Sequence, residues 1–146
     1  MGKVGASLQL AYPAETVYRV ATRIEDLPRW LPEVVGAELL DSTLTVGSRV
    51  RLQMGPAAGG AVVTGTVKQL RPPSIVAIGG HAGPLSIEVR TRLDAASPTS
   101  TRVVLEIEIH APPLMGFIAR EAERRINAEL FAALERFKAL VEAEPA

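Results

Sequence analysis

The stretch of sequence that decides the fold runs from residue 13 to residue 32 and is PAETVYRVATRIEDLPRWLP. It opens with Pro13, which is tolerated at a helix start because its missing N–H would have no partner there. Apolar residues then recur at helical spacing as far as Ile24, which predicts an amphipathic helix over residues 14–24. A second short helical turn follows and ends at Pro32, since the residue before a proline disfavours helical geometry. The stretch therefore predicts two short helices in succession.

Segments of alternating apolar and polar residues lie on both sides of this helical stretch. A period of two is typical of a half-buried β-strand. One segment precedes the helices, at residues 3–12. The predicted strands that follow cover residues 34–41, 49–54, 63–70, 75–78, 85–93 and 103–109, of which 75–78 is a short apolar run and not an alternating segment. The Gly- and Pro-rich segments at 55–60 and 79–84 predict turns. The outward positions of the last two strands carry Arg on one and Glu on the other, which favours cross-strand pairing.

The last third of the chain changes to a helical period. From Pro113 to about Glu142 a single apolar stripe is flanked by charged residues. The stripe consists of Ile118, Ala122, Ile126, Leu130, Leu134, Phe137 and Val141. A helix this long needs a long apolar partner, and the apolar face of the predicted sheet is the candidate. The order of elements predicts an α+β fold in one domain, residues 1–146, with an antiparallel sheet and helices on one face.

Composition excludes several classes of function. The chain has 146 residues, formal net charge zero, no Cys and only two His. A neutral chain favours no nucleic-acid partner, and so few Cys and His ligands predict no metal site. No apolar run approaches the roughly 20 residues that span a bilayer, and the N-terminus lacks the apolar core of a signal peptide. We expect a cytoplasmic protein with no integral membrane segment and no cofactor.

Residues 13–32, together with the step from Gly47 into a strand at Val50, resemble the START-like, Bet v 1-like (SRPBCC) superfamily. The resemblance rests on a strand that ends at Pro-Ala-x-x-Val, a helix, an acidic residue and an aromatic-x-Pro step. It extends over essentially the whole chain and is strongest to the polyketide cyclase/dehydrase and lipid-transport group. It implies a helix-grip fold: a seven-stranded antiparallel sheet curled around a long C-terminal helix, with two short helices between strands 1 and 2. It also implies a ligand cavity between the sheet and that helix.

The inward strand positions and the residues at the expected cavity mouth are the candidate ligand-binding residues. They are mostly aliphatic, which predicts a ligand with apolar contacts. The predicted set is Tyr18, Trp30, Val50, Leu52, Met54, Val67, Ile87, Val89, Thr91, Leu105, Ile107, Met115, Ile118, Ala122 and Arg125.

Each polar or aromatic candidate has a structural alternative. Trp30, the only Trp, is either a packing plug or a lid at the cavity mouth. His81 is either an exposed turn residue or a general base at the cavity rim. Arg125 either pairs with Glu121 and Glu129, four residues away on the helix surface, or anchors a polar ligand group over the cavity. Thr91 is either a buried hydroxyl bonded to the backbone or a polar contact for the ligand.

The function predicted from these observations is binding or carriage of a small hydrophobic ligand, such as a lipid, a quinone or a polyketide-like molecule. The alternative is a polyketide cyclase or aromatase that acts on a ligand in the same cavity, with Tyr18, His81 and Arg125 as its candidate groups. We assign no catalytic residue. A protein-interaction module ranks last, because the outward strand positions are charged and not apolar. Both a monomer and a homodimer are compatible with the sequence.

Overall fold

The computed structural model describes residues 2–56 and 60–145. Within these residues, seven strands and two α-helices lie in the predicted order, with one short 3₁₀ helix before the second strand and another before the last helix. The bounds are β1 Gly2–Leu10, α1 Ala14–Ala21, a 3₁₀ helix Ile24–Arg29, β2 Val34–Leu39, β3 Arg49–Met54, β4 Val62–Arg71, β5 Ile75–Ala82, β6 Leu85–Ser97, β7 Ser100–His110, a 3₁₀ helix Pro113–Met115 and α2 Gly116–Glu142.

The strands form one antiparallel sheet in the order β1-β7-β6-β5-β4-β3-β2. Strands β2 to β7 are joined in sequence as a meander, while β1 pairs with the last strand, so that Ala6 lies opposite Leu105. The sheet curls into a half-barrel, and its concave face carries the apolar phase of each strand. This arrangement confirms the predicted helix-grip fold, including the two short helices between β1 and β2.

Charged residues cover the convex face of the sheet, as the alternation predicts. Glu106 on β7 lies at the centre of a small ion-pair network. Its carboxylate is 3.1 Å from Lys3 Nζ on β1 and 3.7–3.8 Å from the guanidinium nitrogens of Arg92 and Arg90 on β6. Pairs this exposed contribute little each, but they make this face of the sheet polar.

Helix α2 packs chiefly against β1, and it also contacts β7 and α1. Its 27 residues span about 40 Å, and Pro145 lies just beyond its last turn. The C-terminal half carries most of the burial, with Leu130, Leu134, Phe137 and Val141 all at most 1% exposed. The first half is less covered, and Phe117 is 64% exposed. The main core therefore lies between β1, β7, α1 and the second half of α2.

One predicted turn is wrong in part. Residues Gly79–Ala82 belong to β5. The first three pair with both neighbouring strands, so that Gly80 lies opposite Gly65 on one side and Ile87 on the other, and Ala82 pairs with β6 alone. The hairpin turn is confined to Gly83 and Pro84, and Gly83 has a positive φ of 62°. The glycines at 79 and 80 therefore both lie in a strand and not in a loop, and Gly80 allows a close approach of β5 to β4. In the turn predicted at 55–60, residues 57–59 lie outside the described residues.

Candidate functional site

A cavity of about 80 Å³ lies against the concave face of the sheet. The strands β3 to β7 form one wall. The opposite wall, which we call the helical wall, comes from Ala21 at the end of α1, the 3₁₀ helix Ile24–Arg29, the segment that leads into β2, and one residue of α2, Ile126. The lining residues are Ala21, Leu27, Trp30, Leu31, Pro32, Glu33, Val34, Leu52, Met54, Val63, Gly65, Val76, Ile78, Gly80, Ile87, Val89, Thr91, Ile107 and Ile126.

The sheet wall of the cavity is built from two neighbouring rows of paired residues. In one row Ile78, Val89 and Ile107 are in register across β5, β6 and β7 and present aliphatic side chains. In the next row Gly65 and Gly80 are in register on β4 and β5, on the same concave face. Glycine places no side chain on that face, so open space remains beside Ile87.

These two glycines are required by the close approach of β4 and β5. A Cβ on Gly80 would lie 2.9 Å from the Cα of Gly65 and 3.1 Å from the carbonyl oxygen of Thr64. A Cβ on Gly65 would lie 2.8 Å from the carbonyl oxygen of Gly79. Contacts this short would displace the backbone, so the close packing of β4 and β5 requires glycine at both positions. The same two glycines leave the open space on the concave face, because they have no side chains.

The helical wall is anchored by Trp30. Its indole is 1% exposed and packs on Phe137 of α2, with ring centroids 4.6 Å apart and planes tilted by 53°. The carbonyl oxygen of Trp30 accepts a hydrogen bond of 3.0 Å from the guanidinium of Arg136, also on α2. Two contacts to α2 therefore fix this wall. Both join Trp30 to residues more than 100 positions later in the chain.

Among the described lining residues, only Trp30, Glu33 and Thr91 offer a polar side-chain atom. Thr91 is 4% exposed. The indole Nε1 of Trp30 and the Oε2 of Glu33 are buried and have no hydrogen-bond partner within the described part of the chain. The remaining lining side chains are apolar, so the cavity is suited to an apolar molecule with few polar groups.

The cavity brings together seven of the fifteen predicted ligand-binding residues: Trp30, Leu52, Met54, Ile87, Val89, Thr91 and Ile107. The other eight lie elsewhere. Val50, Val67 and Leu105 face the same side of the sheet and are at most 1% exposed in closed packing. Met115, Ile118 and Ala122 lie near the start of α2, and Ile118 is 36% exposed.

Tyr18 and Arg125 are engaged away from the cavity. The Tyr18 hydroxyl donates a 3.1 Å hydrogen bond to the carbonyl oxygen of Ile75, and burial raises the pKa of this phenol. Arg125 is exposed and donates through Nε to Glu121 at 3.2 Å. The pKa of Glu121 is lowered by its hydrogen bonds, first to Arg124 and then to Arg125. The surface ion pair is therefore the arrangement that Arg125 adopts.

His81 lies on the convex face of the sheet. Its neighbour Gly80 faces the cavity, and alternation places His81 on the opposite side, in a shallow cleft with Lys68 and Ser86. The sheet separates this imidazole from the cavity.

Sequence reasoning missed most of the helical wall. Leu31, Pro32, Glu33 and Val34 line the cavity, although no periodic pattern includes all four. Ile126 could have been chosen, because it belongs to the predicted apolar stripe of the last helix. Val63, Val76 and Ile78 could also have been chosen, since they lie in the inward phase of predicted strands. Glu33 carries one local signal in the structure, a positive φ of 60° that is uncommon outside glycine.

Across residues 2–56 and 60–145, no group of three or more His, Cys, Asp and Glu side chains could hold a metal ion. Over the same ranges, no helix is both long enough and apolar enough to cross a membrane. The cytoplasmic location stays a prediction.

The fold and its cavity define a helix-grip protein of the START-like superfamily. Residues 1–142 match the family described as polyketide cyclase/dehydrase and lipid transport, and the chain belongs to this family. No curated protein matches the sequence.

Solved structures share the fold at low sequence identity. The Zhui aromatase/cyclase from Streptomyces sp. R1128 is 19% identical, with a TM-score of 0.76 over 97% of this chain and 93% of that one. A protein from Thermus thermophilus is 21% identical, with a TM-score of 0.74 over 99% of this chain and 100% of that one. A START superfamily protein from Mycobacterium smegmatis is 18% identical, with a TM-score of 0.72 over 96% and 97% of the two chains. At these identities the similarity establishes the fold alone.

Proposed function

We propose that this protein binds a small hydrophobic molecule non-covalently in the cavity between the concave face of the sheet and the wall that residues 27–34 and Ile126 form, and acts as its carrier. The observation that carries the proposal is the cavity itself. Packed interiors leave few voids larger than a water molecule, yet this one keeps about 80 Å³ open behind a mostly aliphatic wall. Binding would draw on the transfer of apolar surface out of water, about 25 cal/mol for each Å².

The volume of the cavity indicates how the ligand would enter. Sites for drug-sized ligands occupy about 300–1,000 Å³, which is several times the space open here. A ligand of that size must therefore displace side chains of the wall. Met54 and Ile126 are suited to this movement, because both are only partly buried at the cavity edge and a methionine side chain adapts its shape at low cost.

The test is native mass spectrometry of the freshly purified protein, followed by solvent extraction of any bound molecule. We expect a retained mass in the wild type that is absent in Val89→Phe, where a ring would enter the cavity. Val104→Phe is the matched control, because Val104 is the same residue type on the neighbouring strand and faces the convex side. The proposal fails if the wild type carries no ligand and takes up no apolar probe, or if the bound mass persists equally in both variants.

A cyclase that acts in the same cavity is the second candidate, and the carboxylate of Glu33 on the cavity wall is the observation that favours it. A positioned carboxyl group can transfer a proton to or from a bound carbonyl compound. The matched experiment adds a polyketide-like β-ketone chain to the wild type and to Glu33→Gln. A cyclised product from the wild type and not from Glu33→Gln would establish this activity. An unchanged substrate with both proteins would exclude the cyclase and favour the carrier function.

A further inference from the structure

Two residues that line the same cavity wall, Trp30 and Glu33, each carry a buried polar atom with no hydrogen-bond partner among the described residues. The two atoms have opposite hydrogen-bonding roles, because the indole Nε1 of Trp30 can only donate and a carboxylate oxygen such as the Oε2 of Glu33 can only accept. Both atoms are buried, and neither has a hydrogen-bond partner among the residues that the structure describes. Buried polar groups are nearly always paired, because leaving one unpaired destabilises the folded protein. Two such atoms at one cavity call for an explanation.

Packing holds both groups in place. Phe137 and Arg136 fix Trp30 from the side of α2. The backbone N–H of Gly55 donates a 2.9 Å hydrogen bond to the carbonyl oxygen of Glu33. The carboxylate of Glu33 lies over the bare Cα of Gly55, since a Cβ there would meet Oε2 at 2.8 Å.

The backbone at Glu33 adds to this cost. Its φ of 60° lies in the left-handed region, which is unfavourable for a residue with a side chain. A conformation of this kind is maintained only where the surrounding structure imposes it. Here it accompanies a carboxylate that borders the cavity.

We infer that the ligand of this cavity bears a hydroxyl group, as an alcohol or a phenol, at the end that meets Trp30 and Glu33. The inference rests on the proposed function and specifies its ligand. A hydroxyl oxygen accepts from the indole N–H, and the hydroxyl hydrogen is donated to the carboxylate. A ketone or an ether satisfies only the indole, a primary ammonium satisfies only the carboxylate, and a hydrocarbon satisfies neither.

The direct test compares three probes with one carbon skeleton. These are decahydro-2-naphthol, its methyl ether and the parent hydrocarbon decalin. All three are transparent at the excitation wavelength of indole, and Trp30 is the only Trp in the chain, so its fluorescence reports binding directly. We expect the alcohol to bind at least about tenfold more tightly than the ether, and the ether more tightly than decalin, because each hydrogen bond contributes separately.

Two substitutions assign the contributions to the two residues. In Glu33→Leu the alcohol should lose its advantage and bind as weakly as the ether. Glu25→Leu is the matched control, because Glu25 is exposed on the preceding 3₁₀ helix, and there the order of affinities should be unchanged. In Trp30→Phe the ring is kept without its N–H, so the ether and decalin should bind equally when measured by calorimetry.

The outcomes separate this inference from the proposed function. Equal binding of all three probes to the wild type would overturn the hydroxyl requirement and leave the hydrophobic cavity in place. Failure of every probe to bind would overturn the proposed function and the inference with it. A tenfold preference that survives in both Glu33→Leu and Trp30→Phe would place the hydroxyl site elsewhere and also overturn the assignment. If one variant fails to fold by circular dichroism, the other variant and the wild-type series still decide the question.

Discussion

The substitution Val89→Phe should increase the stability of the ligand-free protein, although it enlarges a side chain in the middle of the sheet. Val89 lies on the cavity wall between Ile78 and Ile107. A void costs about 24 cal/mol for each Å³ that remains empty, so the full 80 Å³ corresponds to about 2 kcal/mol. A ring that fills half of this space should recover about 1 kcal/mol.

Val103→Phe is the control, and it should have the opposite effect. Val103 lies on β7, is 0% exposed and does not border the cavity. An added ring there has no space, and overpacking costs about 1–3 kcal/mol. The two variants share the chemical change and differ only in whether a void lies beside the residue.

The assay is urea denaturation followed by circular dichroism, with the midpoint compared at constant slope. The midpoint should rise for Val89→Phe and fall for Val103→Phe relative to the wild type, and Val89→Phe should also lose affinity for an apolar probe. Equal destabilisation by both substitutions would refute the reasoning, because it would mean that the space beside Val89 is filled.

Three further predictions test the elements around the cavity. Phe137→Ala should lower the free energy of unfolding by about 3–5 kcal/mol, because Phe137 is 1% exposed; a loss below about 1 kcal/mol in urea denaturation would contradict its place in the core. Gly80→Ala should cost about 1–3 kcal/mol, since its Cβ would lie 2.9 Å from the Cα of Gly65; an unchanged midpoint would show that β4 and β5 separate freely. Glu144→Gln should lower the melting temperature near pH 7, because a hydrogen bond from Arg23 holds the pKa of Glu144 below its usual 4.5. That stabilisation is present above pH 4.5 and is lost as the pH falls through the lowered pKa, so the two melting curves should converge in acid; a difference that is constant with pH would exclude the ion pair as its cause.

The fold could be predicted because its signals are local. Alternation predicts β3, β4, β6 and β7, a short apolar run predicts β5, and one apolar stripe predicts α2, where its members Leu130 and Leu134 are buried. The predicted turn at 79–84 is wrong in part because one local pattern, consecutive glycines, is compatible with both a turn and a strand. Glycine is common in turns, which is why Gly79 and Gly80 predicted one, but both lie in β5, and Gly80 allows β4 and β5 to approach closely. That use of glycine depends on Gly65, fifteen positions before Gly80, and no local pattern contains it.

The candidate site was predictable on its sheet wall and not on its helical wall. Alternation identifies inward residues such as Ile87 and Val89, and both line the cavity. Alternation does not distinguish these residues from Val50 or Val67, which lie on the same face of the sheet but are buried and do not line the cavity. Whether an inward residue borders a void depends on the element that covers it.

The sequence by itself determined the elements, the face that each one buries, and the apolar character of the interior, because these follow from residue periods of 2 and 3.6. Only the tertiary structure decided where the interior stays open. Helix α2 leans toward β1, so Ile126 reaches the cavity while Arg125 turns outward to Glu121. The segment around Trp30 covers the sheet through contacts with Arg136 and Phe137. A helical period fixes which residues share a face, but the placement of that face across a curled sheet arises from contacts between residues far apart in the chain.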